Sequence, residues 1–498
     1  MPIHMRPTRQ EQMPNPVAYL MLMLWPIACA FLFTRLPLQR AIIWGILGAY
    51  LILPPVAEFD LPLVPSMNKD SIAAVGTFLA CLFVARKRVP LIPDSWPVRV
   101  LLFSFVLCAV PTVLTNREPL IFEMAMQAEP IRFFTNYVPG MGLRDLLSII
   151  LSQLIILLPF FLGRAHLADE AGLRNLVLAM AVAGLAYSLP SIFEILFAPV
   201  LNIYIYGFFQ HDFNQMIREG GFRPIVFMPH GLWLAFFMTT AVLSVAALTR
   251  HSRAKIRERW AGALVYMLLV LNACKSLAAL GYGIALTPVV LFLRRKAVLR
   301  IALGIAALAI AYPALRNIGV IPLDAILERA AAISSERAQS LEFRFTNEEQ
   351  LLDRAHLKPW FGWGGWNRNL VLDDETGLII TIPDGAWIIA FGTFGWLGYI
   401  AKMGLLAAPI AMMTWQSRKM KSAEISDFAA PLALILAATM TDMLLNDTLT
   451  PFTWLCAGAV LGYVERLRRP VTETKRDSQA RAPVLGRHLP SDETRPVL

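Results

Sequence analysis

Residues 386–415 read AWIIAFGTFGWLGYIAKMGLLAAPIAMMTW, and Lys402 is the one charge among them. A hydrocarbon core takes roughly 20 helical residues, so this run is long enough to cross it with residues to spare. The same reading extends through the chain. Residues 17–34, 41–56, 71–85, 98–114, 146–162, 176–197 and 225–248 are nearly free of charge, as are 261–274, 277–293, 301–315, 428–445 and 450–464. Together they predict about 13 spans, in a range of about 12 to 14. A spanning segment has to close its own backbone hydrogen bonds, so the expected class is an all-α polytopic integral membrane protein. Composition agrees: of 498 residues 57% are hydrophobic and 16% charged, where soluble domains carry about 25% charged residues.

The net charge of +10 has an ordered placement. Arg86, Lys87 and Arg88, then Arg250 to Arg259, then Arg294 to Arg300, then Arg418, Lys419 and Lys421 occupy short connectors separated by even numbers of spans. Such clusters mark the cytoplasmic side, and nucleic acid is not the expected partner. The parity requires residues 261–293 to form a hairpin turning near Lys275 and Ser276. Taken with its flanks as one helix, this stretch of about 34 residues would be roughly 51 Å long, too long for a single span. The expected division is an outer N-terminal tail at 1–16, a first helix bundle at 17–315, a large extracytoplasmic loop at 316–385, C-terminal helices at 386–465 and a cytoplasmic basic tail at 466–498. All five cysteines, Cys29, Cys81, Cys108, Cys274 and Cys456, fall in or at the ends of apolar runs without metal-ligand spacing. No metal and no cofactor are expected.

A loop as long as 316–385 is functional or disordered, and this one has helix-like spacing at 323–332 and 347–357, then the aromatic turn PWFGWGGW at 359–366. Trp363 and Trp366 there are candidate substrate contacts or part of an interfacial belt with Trp360. The outer side also carries Arg218, Arg223, Arg329, Arg337, Arg344, Arg354 and Arg368, against the positive-inside bias. Either they pair with Glu328, Glu336, Glu342, Glu348, Glu349 and Asp353, or they meet phosphate, which guanidinium binds bidentately. Among the other singular positions, His230 in RPIVFMPHGL (223–232) is expected in a helix beginning near Pro224, on one face with Arg223. Lys275 lies at the outer hairpin, where a charge needs a use or a partner. Asp384 in IPDG precedes the 386–415 run, where it is an N-cap or a functional carboxylate. Glu194 and Asp442 sit near outer ends of spans. No soluble-enzyme fingerprint and no clear internal repeat compete.

Four patches resemble the Wzy/WaaL-type O-antigen polymerase and ligase superfamily, in its exopolysaccharide-polymerase-like branch. Residues 223–235 resemble that family's arginine followed by a span opening after Pro-His. NACKSLAAL (272–280) resembles its Ser-Arg hairpin, with Lys275 for the arginine. Residues 344–365 resemble its arginine, short helix and Pro-x-x-Gly-x-Gly turn, here Pro359, Gly362 and Gly364. Residues 384–398 resemble its loop end and glycine-rich helix, except that Pro383-Asp384-Gly385 stands where a histidine is common, leaving Asp384 or His356 to substitute.

The resemblance implies a multi-pass protein of the bacterial cytoplasmic (inner) membrane. It would transfer glycosyl units at the outer face from a polyprenyl-diphosphate-linked oligosaccharide, with chain-length-regulator and export proteins as further candidate partners. A repeat-unit polymerase is expected; an O-antigen ligase or a lipid-linked sugar flippase are the alternatives. The candidate catalytic residues are Arg223, Lys275 and Arg344 for the departing diphosphate, and Asp384 and His230 as bases. Candidate substrate contacts are Arg218, Arg354, His356, Trp363, Trp366 and Arg368. Metal-independent chemistry is expected.

Overall fold

The structure is a computed structural model that describes residues 13–60, 64–126, 132–218 and 220–469. Most of the tail at 1–16 and nearly all of the basic tail at 466–498 therefore lie outside the described residues. The chain opens with α1 (Pro16–Arg35), α2 (Leu38–Ile52) and α3 (Lys69–Leu79), the last continued by a π turn over Ala80–Val84. After α4 (Trp96–Leu107) and α5 (Ala109–Leu114), an antiparallel ribbon forms from β1 (Leu120–Met126) and β2 (Arg132–Val138). Then come α6 (Leu143–His166), α7 (Glu170–Leu196), short α8 (Leu201–Tyr206), and the small ribbon of β3 (Ile217–Arg218) and β4 (Gly221–Phe222). Four helices follow in close succession: α9 (Gly231–His251), α10 (Ala254–Ala273), α11 (Leu277–Phe292) and α12 (Arg295–Asn317). The long loop contains α13 (Leu323–Ile333) and α14 (Ser335–His356), and the chain closes with α15 (Ala386–Ser417), α16 (Ala429–Asp442) and α17 (Pro451–Arg468).

The helix starts are legible in local chemistry. Asn15, Asn68, Asp169 and Thr450 each accept a backbone N–H of the first turn that follows them, satisfying donors that no helical carbonyl can reach. Proline stands in the first turn of α1, α4 and α17, where its missing N–H removes nothing. Among the described residues, seven helices are long and apolar enough to cross a membrane: α1, α4 with α5, α6, α7, α9, α12 and α15. Three shorter ones, α2, α11 and α16, are also apolar. The architecture departs from the all-α expectation by its two ribbons. It also departs in α14, which begins at Ser335 rather than near Asn347.

Polar contacts sort the helix ends into two groups. At one end Arg164 binds Asp94 and Glu465 at 3.0 and 2.6 Å, Arg250 donates to the carbonyls of Val290 and Leu293, and Arg295 pairs with Asp427. Arg466 donates to Ala165 at this end. At the other end the Asn15 amide reaches Tyr206, Lys358 reaches Thr115 and Asn116, and the Ala386 amide reaches Asn446. The long loop belongs to this second group, and so does the α10–α11 turn, where Lys275 donates to the Arg218 carbonyl.

α15 is broken within its apolar stretch. Gly395 has φ +63 and ψ −163, far from helical values. The aromatic turn that follows α14 fits into this break. Trp363 and Gly364 donate their amides to the carbonyls of Gly392 and Thr393, and the amides of Trp396 and Leu397 are returned to the carbonyls of Pro359 and Trp360. Backbone groups freed by the break are thus satisfied by protein rather than left bare, which a water-poor environment requires. A Cβ on Gly395 would lie 2.3 Å from the Trp360 backbone. Gly395→Ala therefore adds that clash to a backbone penalty of about 1–3 kcal/mol. Thermal unfolding in lipid nanodiscs should show a clear loss of stability for Gly395→Ala and none for Gly262→Ala, whose added Cβ meets nothing within 4 Å; equal midpoints would refute the role given to the break.

Candidate functional site

The connector before α9 is held by buried groups. Glu194 on α7, 0% exposed, accepts the Leu201 amide at 3.1 Å with one carboxylate oxygen. Its other oxygen accepts the amides of Ile225 and Val226 at 2.8 and 2.7 Å. The Tyr187 hydroxyl accepts the Phe227 amide, Lys69 donates to the Phe227 carbonyl, and Gln210 donates to the carbonyls of Val226 and Met228. Val226 sits at φ +51, a conformation that an isolated β-branched residue avoids.

These contacts correct the expectation for His230. Prolines 224 and 229 disfavour helix at the residue before each, and Glu194 takes the amides that a helix would have used. Residues 223–230 are accordingly not helical, and α9 starts at Gly231 with His230 as its N-cap, the Nδ1 atom accepting the Leu232 amide at 3.0 Å. Arg223 and His230 do not share a helix face. Their proximity comes from the folded connector, in which the Arg223 side chain packs against Gly231.

Around this connector the fold gathers cations from separate elements. Arg223 is 7% exposed and donates through Nη2 to the Lys275 carbonyl at 2.8 Å. Lys275, itself at φ +51, donates to the Arg218 carbonyl at 2.6 Å. Arg344 on α14 faces Asp384 at 3.4 Å. Asp384 is not the N-cap of α15; that position is Gly385. Burial, and then the nearby Arg218, Arg344 and Arg337, push the Arg223 guanidinium down to about 10, the Cys274 thiol opposing. Among the described residues no carboxylate pairs with Arg223, and its Nε is buried with no hydrogen-bond partner. A guanidinium desolvated beside like charges with an orphaned donor is an unfavourable arrangement that an anion would relieve.

Arg344 is aimed by Glu348, one turn further along α14. The buried Glu348 carboxylate accepts from Tyr312, Arg316 and Trp387 at 3.0, 3.2 and 3.2 Å, tying α14 to α12 and α15. Asn347 accepts the Ile382 amide at 2.8 Å and so places the segment that ends in Asp384. Burial raises the Asp384 carboxyl above its ordinary value against the opposing pull of Arg344 and His211. His230 is driven the other way. Burial first, then His211, Arg223, Arg344 and Arg218, hold its protonation well below the usual imidazole range. Neutral, with Nδ1 accepting the α9 amide, His230 carries its proton on Nε2 and is a hydrogen-bond donor to the site rather than a ready base.

The structure thus brings together Arg218, Arg223, His230, Lys275, Arg344 and Asp384. It adds His211, whose ring lies 4.4 Å from that of His230 and which no spacing in the sequence marks. Of the two span-end carboxylates, Glu194 is consumed in holding the connector, and Asp442 accepts from Asn446 and Thr448 at 3.1 and 2.7 Å. The remaining candidates form a separate group. Both Arg354 Nε and Nη2 donate to the Arg368 carbonyl, and Arg354 and Lys358 stack on Trp363 at 4.3 and 4.4 Å. Arg368, 2% exposed, donates to the carbonyls of Pro139 and Glu118. These contacts fasten the loop to the segments flanking the β1–β2 ribbon. His356 packs near Phe391, and Trp366 is exposed at φ +54.

Among the described residues no group of three His, Cys, Asp or Glu side chains could hold a metal ion. No family model matches this chain, and no curated protein matches it significantly. The arrangement itself offers a cluster of positive charge, a carboxylate beside it and a neutral imidazole. Because Glu194 holds the connector by three amides, Glu194→Ala leaves buried donors unmatched at about 1–3 kcal/mol each. Hydrogen exchange should accelerate at the amides of Ile225 and Val226 in that variant, whereas wild-type protection there would show that another group holds the connector.

Proposed function

We propose that this chain is a membrane glycosyltransferase with about 13 spans, joining polyprenyl-diphosphate-linked oligosaccharide repeat units at the outer face of a bacterial cytoplasmic membrane. Arg223 is the observation that carries this reading. Its buried, unneutralised guanidinium stands among Arg218, Arg337, Arg344 and Lys275, and a lipid-linked diphosphate supplies the missing negative charge. The resemblance of residues 223–235 and 344–365 to the polymerase and ligase superfamily supports the same substrate class.

In the proposed reaction the acceptor hydroxyl oxygen bonds to the anomeric carbon of the donor sugar. The bond from that carbon to the diphosphate oxygen breaks, its electron pair leaves with the diphosphate, and the acceptor proton passes to Asp384. Cations fixed in advance stabilise the charge that grows on the leaving oxygens, and removing one such group typically costs about 10²–10³ in rate. Asp384 is the better base because its carboxylate is free of capping duty, while His230 is held in its donor form by the α9 amide. Arg344, 3.4 Å from Asp384, both opposes the rise that burial gives that carboxyl and belongs to the cationic cluster. The reading includes metal independence, since the positive charge comes from side chains.

Purified protein given one lipid-linked repeat unit should yield a ladder of lipid-linked chains, insensitive to chelator. A single transfer to a separate acceptor would instead identify a ligase, and unaltered substrate mass would reject transfer altogether. Arg223→Ala and Arg344→Ala should each lose at least about 10²-fold in turnover at normal membrane abundance. Asp384→Asn should be inactive while His230→Ala keeps measurable product. The base must be deprotonated to act, and burial raises its pKa, so activity should climb with pH along a limb lying above the ordinary carboxyl value of 3.8. A limb at or below that value would remove Asp384 from the role.

A further inference from the structure

A recess with a volume of about 450 Å³ lies between α3, α6, α15 and α17, apart from the Arg223 cluster, with Lys402 the one cation in its wall. That volume is in the range of small-molecule sites. From the loop 443–450, with Asp447 in its wall, it reaches down α15 from Ile389 to Lys402. Its charged lining differs from the Arg223 cluster: two carboxylates, Asp70 and Asp447, outnumber Lys402, with the hydroxyl of Ser152 and the amide of Gln153 beside them. Lys69, next to Asp70 in sequence, is engaged elsewhere, donating to the carbonyls of Tyr50, Leu53 and Phe227.

Gln153 is the independent sign of a ligand. It is 4% exposed, its amide nitrogen meets Cys108 Sγ at 3.5 Å, and its carbonyl oxygen has no hydrogen-bond partner. Leaving such a group unmet costs about 1–3 kcal/mol. Trp366 completes the lining as an exposed indole, held at φ +54 by the turn that fills the break in α15.

We infer that this recess binds a hydroxylated sugar ring of the acceptor glycan, an assignment that rests on the glycosyl-transfer reading above. A sugar presents hydroxyl donors around its rim to Asp70, Asp447 and the Gln153 oxygen, and C–H faces to Trp366 and the apolar walls. Phosphate is repelled by the two carboxylates. An alkyl chain would leave them, Gln153 and Lys402 unpaired. The arginine cluster and this recess therefore sort the two halves of the chemistry by charge, the diphosphate to the arginines and the hydroxyl-bearing acceptor to the carboxylates. One loop borders both, because Leu444 and Leu445 lie beside Arg344 and Asp384 while Asp447 lines the recess.

The probe is the repeat-unit oligosaccharide released from its lipid by mild acid, titrated by saturation-transfer NMR against the full-length protein in nanodiscs. Trp366→Ala and Asp447→Asn should weaken binding at least about tenfold, and Arg223→Ala should leave it within about twofold of wild type. Equal binding by the wild type and both recess variants overturns the site. So does absence of binding, or labelling of the recess by a photoreactive fatty acid that the oligosaccharide does not displace. If the wild type still builds a ladder and Arg223→Ala abolishes it, these outcomes remove the acceptor recess alone; if the wild type leaves the substrate mass unaltered, the transfer reading itself has failed.

Discussion

No water is at hand inside a bilayer to take up a bare amide or carbonyl, and this constraint governs where the chain can leave helical form. It does so at two critical places. At residues 224–230 the freed amides are taken by Glu194 and Tyr187 and the freed carbonyls by Lys69 and Gln210. At Gly395 they are taken by the backbone of residues 359–364. The candidate site depends on the first device for Arg223 and His230. The second fixes the turn that follows the helix carrying Arg344.

Electrostatics gives these devices a purpose. Glu194 and Glu348 are buried carboxylates close to a crowd of arginines, yet Glu194 is spent on three amides and Glu348 on Tyr312, Arg316 and Trp387. Neither neutralises Arg223. The fold uses its nearby anions as mechanical fastenings and leaves the buried charge of Arg223 without a carboxylate partner among the described residues. Arginines 354 and 368 show a partly contrasting use: Arg354 donates to the Arg368 carbonyl and stacks on Trp363, and Arg368 donates through both Nη atoms to the carbonyls of Pro139 and Glu118, although its buried Nε, like that of Arg223, has no partner. Two arginine groups of similar appearance in the sequence thus have different roles, and the difference lies in what surrounds them.

The sequence carried most of the helices because their signal is simple: the apolar runs fall on helices except over 225–230, and a turn at Lys275 does separate α10 from α11. The β1–β2 ribbon gave no such signal, lying in a mixed stretch that matches neither helical nor strand periodicity. His230 was legible as singular but not as an N-cap, because the group that stops the helix before it, Glu194, is some thirty residues away in sequence. Separating Arg223 from Arg368 was likewise impossible from spacing. Both are buried arginines that donate to carbonyls, and only the third dimension sets Arg223 among Arg218, Arg344 and Arg337 while it gives Arg368 the two carbonyls of Pro139 and Glu118. His211 had no mark at all, since its proximity to His230 is created by the fold of the connector.

The turn lodged in the break of α15 has a practical meaning for the long segment 316–385. Its outward helices suggest a soluble module that could be cut free and handled in water. Yet the amides of Trp363 and Gly364 find their acceptors only in α15, and α14 is fastened through Glu348 to α12 and α15. The segment is therefore completed by the helices it joins. Folding of this segment must wait for helices synthesised after it, and the arginines it carries come into register only when α15 is in place.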